Sequence, residues 1–169
     1  MSTRAGSAGR VVGLHMKGQV VGERGLPKAA TEELQIVRGG VVGDFNRFRH
    51  EERHDDPNMA ILVIPRETID QLNREGWPVR PGDLGENITT EGLGYDAFRP
   101  GVRFRAGQAL LEVSKACDPC DNLYLLPYVG AARGPEFLRT MLGRRGWFAR
   151  VLHEGRARRG DSVELVGSP

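Results

Sequence analysis

Residues 59–64, Met59-Ala60-Ile61-Leu62-Val63-Ile64, form an uninterrupted run of apolar residues and give the strongest indication of the fold. A run of this length is typical of a strand that is buried on both faces. The residues that follow, 67–75, place Ile69 and Leu72 at helical spacing and end at Gly76, which indicates a short amphipathic helix. We therefore expect a central buried strand that leads at once into a helix.

Six further segments have the length of strands and turn residues beside them: residues 10–16, 34–37, 102–104, 109–113, 147–152 and 162–166. Gly107 and Gly160 each precede one of these strands and predict hairpin entries. A second helix is predicted over about residues 135–145, with Arg144 and Arg145 at the negative end of its dipole. Seven strands and two helices without sustained alternation predict a mainly β (α+β) fold. We expect a small closed or partly closed β-barrel with helices inserted in its connections.

Length and composition predict one compact domain. The chain has 169 residues, of which 39% are hydrophobic, and this is enough to bury a core. Its 23 glycines and 10 prolines favour a turn-rich, largely β protein. Residues 1–9 are small and polar without a period, and we expect a disordered lead-in there. The domain itself is expected to span residues 10–169.

The charge and hydropathy of the chain argue against a nucleic-acid partner and a membrane partner. The net charge is +2 and the pI about 8.7, short of the strongly basic footprint of proteins that bind phosphate backbones. No apolar run approaches the roughly 18 residues that cross a bilayer, and the first residues lack the apolar stretch of a secretory signal. We therefore expect a cytoplasmic protein with no nucleic-acid and no membrane partner.

The two cysteines of Cys117-Asp118-Pro119-Cys120 allow three interpretations. A thiol redox pair usually opens a helix in a βαβ unit, and no convincing helix follows this motif. A zinc site needs two more ligands, which His50 and His54 supply by their spacing. These histidines lie in a charged run, 49–56, that is otherwise expected to be a flexible, solvated face. The third interpretation is two unrelated thiols in a reducing compartment.

Two other segments carry polar groups suited to a ligand. Residues 81–93 combine glycines with Glu86 and Asn87, so the backbone can approach a ligand closely and the side chains can donate and accept hydrogen bonds. The alternative is a loop with an asparagine-capped turn. The C-terminal part is rich in arginine, and Arg150 lies inside a predicted strand, where its side chain must point in a specific direction. A guanidinium fork suits an anion such as a phosphate.

Taken in order, these segments resemble the MOSC domain, a family named after the C-terminal part of the molybdenum cofactor sulfurase. The resemblance rests on the following pieces: Gly25-Leu26-Pro27-Lys28, Gly43-Asp44, His54, Pro81-Gly82-Asp83-Leu84-Gly85-Glu86-Asn87-Ile88-Thr89-Thr90, Pro119-Cys120-Asp121-Asn122-Leu123, Gly146-Trp147-Phe148-Ala149-Arg150 and Gly160-Asp161-Ser162-Val163. Their order and spacing extend from about Arg10 to Val166. The sequence is therefore similar to this family over most of its length.

The resemblance implies a predominantly β barrel and a molybdenum cofactor (molybdopterin) whose metal is held by the thiolate of Cys120, the implied catalytic residue. A soft thiolate suits molybdenum, and the anionic phosphate of the pterin suits Lys or Arg. By the same resemblance, Asn87 and Glu86 lie in the cofactor-binding loop, and Lys28 or Arg150 lies near its anionic end. The implied activity is the reduction of N-hydroxylated or similar small-molecule substrates, with electrons supplied by a separate reductase.

The resemblance leaves alternatives open. One is a sulfur carrier or cofactor-handling module in which Cys120 bears a persulfide, and another is a purely structural zinc module. Cys117 is an extra thiol relative to the family pattern, either a bystander or a resolving partner for Cys120. Pyridoxal phosphate concerns only the family level, because it belongs to a sulfurase domain that we do not expect in this chain.

Overall fold

The computed structural model describes residues 8–167, which contain eleven strands and three α-helices. The strands are β1 (Ala8–Met16), β2 (Ala29–Ala30), β3 (Glu33–Val37), β4 (Gly40–Val41), β5 (Ile61–Pro65), β6 (Ile88–Glu91), β7 (Arg103–Ala106), β8 (Ala109–Ala116), β9 (Trp147–His153), β10 (Gly155–Arg158) and β11 (Ser162–Val166). The helices are α1 (Arg47–Arg53), α2 (Arg66–Arg74) and α3 (Gly130–Met141), and short 3₁₀ turns lie at Pro57–Met59, Tyr95–Ala97 and Asp121–Leu125.

Seven of the strands close into a mixed barrel in the order β1-β11-β7-β8-β9-β5-β6 and back to β1. Neighbouring strands are antiparallel except β5 and β6, which are parallel. Strand β2 extends β1 outside the ring, and β3, β4 and β10 form a separate three-stranded sheet. The closed β-barrel with inserted helices that the sequence predicts is therefore confirmed.

Strand β5 is buried along its whole length because both of its faces are covered. Ile61 and Val63 belong to the core of the barrel, whereas Ile64 packs outside it with residues of α2 and α3. Leu62 joins Phe148 in a smaller cluster. A strand covered in this way has no polar face, which explains why the sequence shows a continuous apolar run rather than alternation.

The two predicted helices are present, and they differ in how well their ends were predicted. Helix α2 agrees with its prediction to within one residue at each end. Helix α3 both begins and ends earlier than expected, so that Pro135 lies inside it. Gly143 follows with a φ of 76°, a left-handed conformation that commonly ends helices. Arg144 and Arg145 therefore lie beyond the helix and not in its last turn.

The sequence does not predict β2, β4, β6 or β10. Strand β6 lies within the segment that is interpreted above as a ligand loop, and its Thr89 and Thr90 are fully buried polar residues. Strand β10 has one buried apolar residue, Ala157, between exposed arginines. Strands β2 and β4 have two residues each. None of these segments carries enough apolar residues to show a period.

The charged run at residues 49–56 is mostly exposed, as expected, and it forms the second half of helix α1 and the turn that follows it. Helix α1 buries none of its residues. Its N-terminus is capped by Asn46, whose side chain accepts a hydrogen bond from the backbone N–H of Arg49. The Arg49 guanidinium donates to the backbone carbonyls of Gly39, Asp55 and Asp56. These bonds, rather than apolar packing, hold the segment.

The chain ends differ slightly from expectation. Strand β1 begins at Ala8, so Ala8 and Gly9, which were expected in the lead-in, pair with β11; residues 1–7 lie outside the described residues. Gly107 turns between the paired strands β7 and β8, as predicted. Gly160 instead links β10 in the small sheet to β11 in the barrel. No helix of the described part is long and apolar enough to cross a membrane.

We expect Ile61→Ala to lower the free energy of unfolding by about 2–5 kcal/mol, because it leaves a cavity in the barrel core. The matched control is Val42→Ala, whose side chain is 55% exposed and whose loss should change stability by less than about 0.5 kcal/mol. Urea denaturation of both variants measures the difference. Equal effects of the two substitutions would contradict the central position of β5.

Candidate functional site

One cavity of about 250 Å³ lies outside the barrel, between the loop that follows β8, the loop that precedes β2, and helix α1. Cys117 and Cys120 both line it, together with Lys28 and Arg145. Its apolar wall includes Leu62 and also Phe48, Met59 and Phe148. Two thiols, buried basic groups and an apolar wall therefore meet in the same space.

The two cysteines enter the cavity from the end of β8 and are free thiols. The backbone N–H of Cys117 donates to the carbonyl of Gly146 (2.9 Å), and its side chain packs against the cluster that contains Leu62. Burial raises the pKa of the Cys117 thiol. Cys120 precedes the 3₁₀ turn Asp121–Leu125, and its carbonyl accepts from Leu123 N (3.1 Å). Cys117 is thus the more apolar thiol of the two, a setting that favours the protonated form.

Lys28 lines the cavity and is paired with a buried carboxylate. Its Nζ donates to Asp44 Oδ2 at 2.6 Å, and both side chains are less than a tenth exposed. Burial lowers the pKa of Lys28, and the attraction of Asp44 opposes that shift. Asp44 Oδ1 also accepts a hydrogen bond from the backbone N–H of Lys17 (2.8 Å). The Lys28–Asp44 pair therefore has no net charge and a fixed position, and Lys28 is not an uncompensated cation in the cavity.

Asn87 supports this pair from below and does not line the cavity. Its Nδ2 donates to Asp44 Oδ2 at 2.9 Å and to the carbonyl of His15 at 3.3 Å. Its Oδ1 accepts from the backbone N–H of Leu62 at 3.1 Å. All of these partners belong to the protein, so the observed role of Asn87 is to position Asp44, and through it Lys28.

Glu86 is fully buried beneath the cavity and does not line it either. Its Oε1 accepts from the backbone N–H of Gly82 at 2.8 Å, and Thr89 Oγ1 donates to its Oε2 at 3.3 Å. Burial raises the pKa of Glu86 to about 7, while the positive charge of Arg145 acts in the opposite direction. Near neutral pH this carboxyl group therefore exists in both protonation states.

Arg145 is the basic side chain that is left without partners. It is only 5% exposed, and its Nε and Nη1 are buried with no hydrogen-bond partner. A buried donor without an acceptor costs about 1–3 kcal/mol, so such groups usually have a ligand, a water or a function to explain them. Because Arg145 lines the cavity, an oxyanion bound there would complete its hydrogen bonds.

Arg150, the arginine predicted near an anion, is not among the residues that line the cavity. It lies on β9, and its Nη2 is 2.9 Å from Glu112 Oε1. Glu112 also accepts from Arg103 on β7. The structure therefore brings Cys120 and Lys28 together in the cavity, places Glu86 and Asn87 directly beneath it, and leaves Arg150 elsewhere.

Sequence reasoning missed Asp44 and Arg145 as members of the site. Gly43-Asp44 was part of the family resemblance, but nothing in its sequence context indicated that Asp44 would be buried against Lys28. Arg145 stood among many arginines and was interpreted as a helix-dipole residue. The sequence holds no signal for Arg145, because the only local constraint is structural: at Gly146, which follows it, an added Cβ would lie 2.8 Å from Ile64. Such close packing fixes the backbone at that point.

The charged residues that line the cavity are mostly basic. Five of them are basic and one is acidic: Lys28, Arg47, Arg53, Lys115, Arg145 and Asp118. Lys28, Arg47 and Lys115 have carboxylate partners. Within residues 8–167, no carboxylate pairs with Arg53 or Arg145. The excess of positive charge favours an anionic ligand.

The zinc arrangement is not found. In the part of the chain that the structure describes, no three His, Cys, Asp or Glu side chains are grouped so as to hold a metal ion. His50 hydrogen-bonds Asp55 at 2.9 Å, and His54 forms the left-handed C-cap of α1. Neither histidine lines the cavity with the two cysteines. The structural zinc module that was considered above therefore has no ligand set here.

The fold and the cavity define a class of protein: a small mixed β-barrel whose loops bring thiols and buried basic groups together. A family model described as the MOSC domain matches residues 50–164. The chain belongs to this family, which confirms the resemblance drawn from the sequence.

Comparison with individual proteins agrees with this assignment. The chain is 31% identical over 140 residues to Protein YiiM of Escherichia coli, covering 79% of this chain and 59% of that protein. It is 31% identical over 145 residues to the uncharacterized protein YflK of Bacillus subtilis, covering 83% and 62%. The chain thus spans about three fifths of the length of these curated relatives. A protein of Gibberella moniliformis named "Reductase" is 25% identical, covering 80% of this chain and 28% of that protein.

Solved structures share the fold. YiiM from Geobacillus stearothermophilus has a TM-score of 0.70 at 26% identity, covering 94% of this chain and 75% of that one. The YuaD protein from Bacillus subtilis has a TM-score of 0.79, covering 96% and 97%. Its identity to this chain is 20%, so it supports the fold alone.

We expect Asn87→Ala to lower the free energy of unfolding by about 1–3 kcal/mol, because it leaves the buried Leu62 N–H without its acceptor and removes one of the donors to the Asp44 carboxylate. The control is Asn122→Ala, whose amide oxygen accepts from Arg24 at the surface; its effect should stay within about 0.5 kcal/mol. Chemical denaturation measures both values. If Asn87→Ala loses no more stability than the control, the proposed role of Asn87 in positioning Asp44 is contradicted.

Glu86 should make the protein less stable as the pH rises. Its pKa increases on folding from 4.5 to about 7, so between these values the folded protein holds a proton that the unfolded chain has lost. Stability is therefore lost as the pH rises through that window, by about 3 kcal/mol in all. Glu86→Gln stays neutral throughout, so its unfolding free energy minus that of the wild type should increase by this amount between pH 4 and pH 8.

The control for this titration is Glu91→Gln, which removes an exposed carboxylate that pairs with Arg10. Burial lowers the pKa of His15 to about 4, which makes the folded state more stable as the pH rises, opposite to the effect of Glu86. Every variant keeps His15, so this effect cancels in the difference between variant and wild type. Urea denaturation at several pH values measures the differences. A flat difference for Glu86→Gln would contradict the burial of this carboxyl group.

Proposed function

We propose that this chain binds the molybdenum cofactor in the cavity through the thiolate of Cys120 and reduces N-hydroxylated or similar small substrates. The observation that carries the proposal is the meeting of a free thiol and a buried, unpartnered guanidinium in one cavity, at Cys120 and Arg145. Membership of the MOSC family and similarity to a protein named "Reductase" support it.

The residues present fit such a group. A thiolate is a soft ligand, which suits molybdenum, and an arginine fork matches the geometry of a phosphate. Arg145 offers two buried donors that no protein atom satisfies. The cavity, at about 250 Å³, lies just below the range of roughly 300–1,000 Å³ that is typical of ligand pockets, and it opens to solvent, so a ligand need not be fully enclosed.

Each side chain then has a defined part. Cys120 would hold the metal, Arg145 the anionic end of the pterin, and the neutral Lys28–Asp44 pair would donate hydrogen bonds from a fixed position. The apolar wall around Phe148 would limit the access of water to the reacting atoms. When bound, the molybdenum centre supplies the two-electron redox chemistry that no side chain can perform. A separate reductase would provide the electrons.

A second candidate function is sulfur transfer, and the shared cavity of the two thiols favours it. Cys120 would carry a persulfide received from a separate sulfur donor. The thiolate of Cys117, which lines the same cavity, would attack its inner sulfur, break the S–S bond and release the outer sulfur as hydrosulfide. The Cys117–Cys120 disulfide that forms would then be reopened by an added thiol reductant. The two functions differ in what remains on Cys120. Intact-protein mass spectrometry detects an added sulfur that a reductant removes, whereas a metal ligand carries no such adduct.

We expect Cys120→Ser to lose molybdenum and pterin when the protein is made in a host that produces the cofactor. Cys117→Ser is the matched control, because it changes a neighbouring thiol in the same cavity and should keep most of both. Metal and pterin analysis measures occupancy, and reduction of 6-hydroxylaminopurine with an added electron donor measures activity. Activity should fall by at least about 100-fold in Cys120→Ser, in line with the loss of a metal ligand.

Three results would count against the proposal. These are wild-type protein from such a host that contains no molybdenum, a Cys120→Ser variant that keeps its full content, and a loaded protein that is inert towards a panel of N-hydroxylated compounds. A reducible sulfur adduct on Cys120, together with absent molybdenum, would favour the carrier function instead.

A further inference from the structure

Glu86 and Arg145 form a buried pair of opposite charge that has no direct contact. Both are almost completely inaccessible, and the charge of Arg145 acts on the Glu86 carboxyl group. Yet Nε and Nη1 of Arg145 have no hydrogen-bond partner, and the carboxylate oxygens of Glu86 are engaged by Gly82 and Thr89. Arg145 lines the cavity and Glu86 does not. The carboxyl group therefore acts on the cavity through its charge, which is felt by the two buried cations that line it, Arg145 and Lys28.

The surroundings of Glu86 accommodate both of its protonation states. In the ionised form both oxygens accept hydrogen bonds, from Gly82 N (2.8 Å) and Thr89 Oγ1 (3.3 Å). In the neutral form, Oε1 can still accept from Gly82 as a carbonyl oxygen, and the proton on Oε2 can be donated to the Thr89 hydroxyl, which both donates and accepts. Neither state leaves a buried polar atom of Glu86 unsatisfied, so the site can change charge without rearrangement.

We propose that Glu86 is a positioning residue that controls, through its charge, how strongly Arg145 binds an oxyanion in the cavity. With Glu86 neutral, the whole positive charge of Arg145 is available to the ligand. With Glu86 ionised, its negative charge lies close to that of the bound anion and repels it in surroundings of low dielectric. Anion binding therefore weakens as the pH rises through neutrality. This inference deepens the proposed cofactor site, and it is tested without the cofactor.

Other groups face the same pair and have to be considered. Arg145 acts on Lys28, Tyr95 and Cys117, and Glu86 lies near Tyr128, His15 and the Lys28–Asp44 pair, with Asp83 beside His15 and Tyr128. Asp118 and Cys120 face the cavity from the cysteine loop.

Four of these groups stay neutral between pH 6.0 and 8.5. Burial raises the pKa values of Tyr95, Tyr128 and Cys117 above their ordinary range. Burial lowers the pKa of His15 to about 4. Burial also lowers the pKa of Lys28, and loss of its proton would weaken anion binding in the same direction, so the test has to distinguish Lys28 from Glu86.

The test uses inorganic sulfate, which stays a dianion over this pH range, and the protein without cofactor. Calorimetric titration should give a dissociation constant roughly tenfold larger at pH 8.5 than at pH 6.0 for the wild type, a coupling of the usual size for linked sites. Glu86→Gln should bind sulfate at both pH values as tightly as the wild type does at pH 6.0. Glu91→Gln, the control, should retain the wild-type dependence, and Arg145→Gln should lose binding.

Three results would overturn the inference: no sulfate binding by the wild type, a wild-type affinity that does not change with pH, or a pH dependence that persists in Glu86→Gln. The last would assign the effect to another group such as Lys28. A measurement that needs no variant is the ¹³C NMR titration of the Glu86 carboxyl group. Saturating sulfate should raise its pKa by about one unit, the reciprocal of the tenfold change in affinity, and an unchanged value would refute the coupling.

The outcomes separate this inference from the proposed function. If sulfate binds as expected but Cys120 never holds molybdenum, the Glu86–Arg145 coupling stands and the cofactor proposal fails. If molybdenum is bound through Cys120 but sulfate affinity does not follow Glu86, the cofactor proposal stands and the coupling fails.

Discussion

The side chain of Asn87 connects the barrel to the cavity, and the arrangement of the site depends on its hydrogen bonds. Its amide oxygen accepts from the backbone of Leu62 on β5, and its amide nitrogen donates to the carbonyl of His15 on β1 and to Asp44. An amide is the side-chain group that supplies an acceptor on one side and two donors on the other. A carboxylate here would repel Asp44, and an apolar side chain would remove all three buried hydrogen bonds. The strand order β5-β6-β1 thus determines where Asp44, and with it Lys28, can lie.

The buried charged side chains at the cavity are arranged in two different ways. Lys28 and Asp44 compensate each other at 2.6 Å, and removing either partner would leave an isolated buried charge, the most destabilising outcome for such a pair. Arg145 and Glu86 are equally buried but do not touch, and Arg145 keeps donors without acceptors. A structure that maximised stability would join them. Strongly shifted pKa values cluster at functional sites, and unsatisfied buried groups call for an explanation. Arg145 is thus a buried cation of the cavity wall whose Nε and Nη1 have no acceptor in the part of the chain that the structure describes.

The sequence predicted the barrel because its signals are local and apolar. The run from Met59 to Ile64 and the spacing of Ile69 and Leu72 specify β5 and α2 without reference to the rest of the chain. The polar elements escaped prediction, since β6 buries Thr89 and Thr90 through sheet pairing that only the closed barrel supplies. Helix α1, similarly, depends on bonds from Arg49 to distant carbonyls.

At the site, family resemblance indicated Cys120, Lys28, Glu86 and Asn87, but it did not distinguish residues that line the cavity from those beneath it. Arg145 could not be separated from the other arginines, because burial and lack of a partner are properties of the folded state.

The position of the cavity follows from the packing of the barrel. Seven strands enclose a core filled by side chains such as Phe98 and Phe104, which are fully buried and pack edge to face at 5.2 Å between ring centres. No ligand can enter such a core, so a site must be built from the connections on its outside. The loop after β8 supplies the thiols, the loop before β2 supplies Lys28, and the segment after α3 supplies Arg145. These connections converge because β5, β8 and β9 are neighbours in the ring. Asn87 and Glu86 do not line the cavity and belong to the barrel side of the site, where the hydrogen bonds of Asn87 fix the position of Asp44 and, through it, of Lys28.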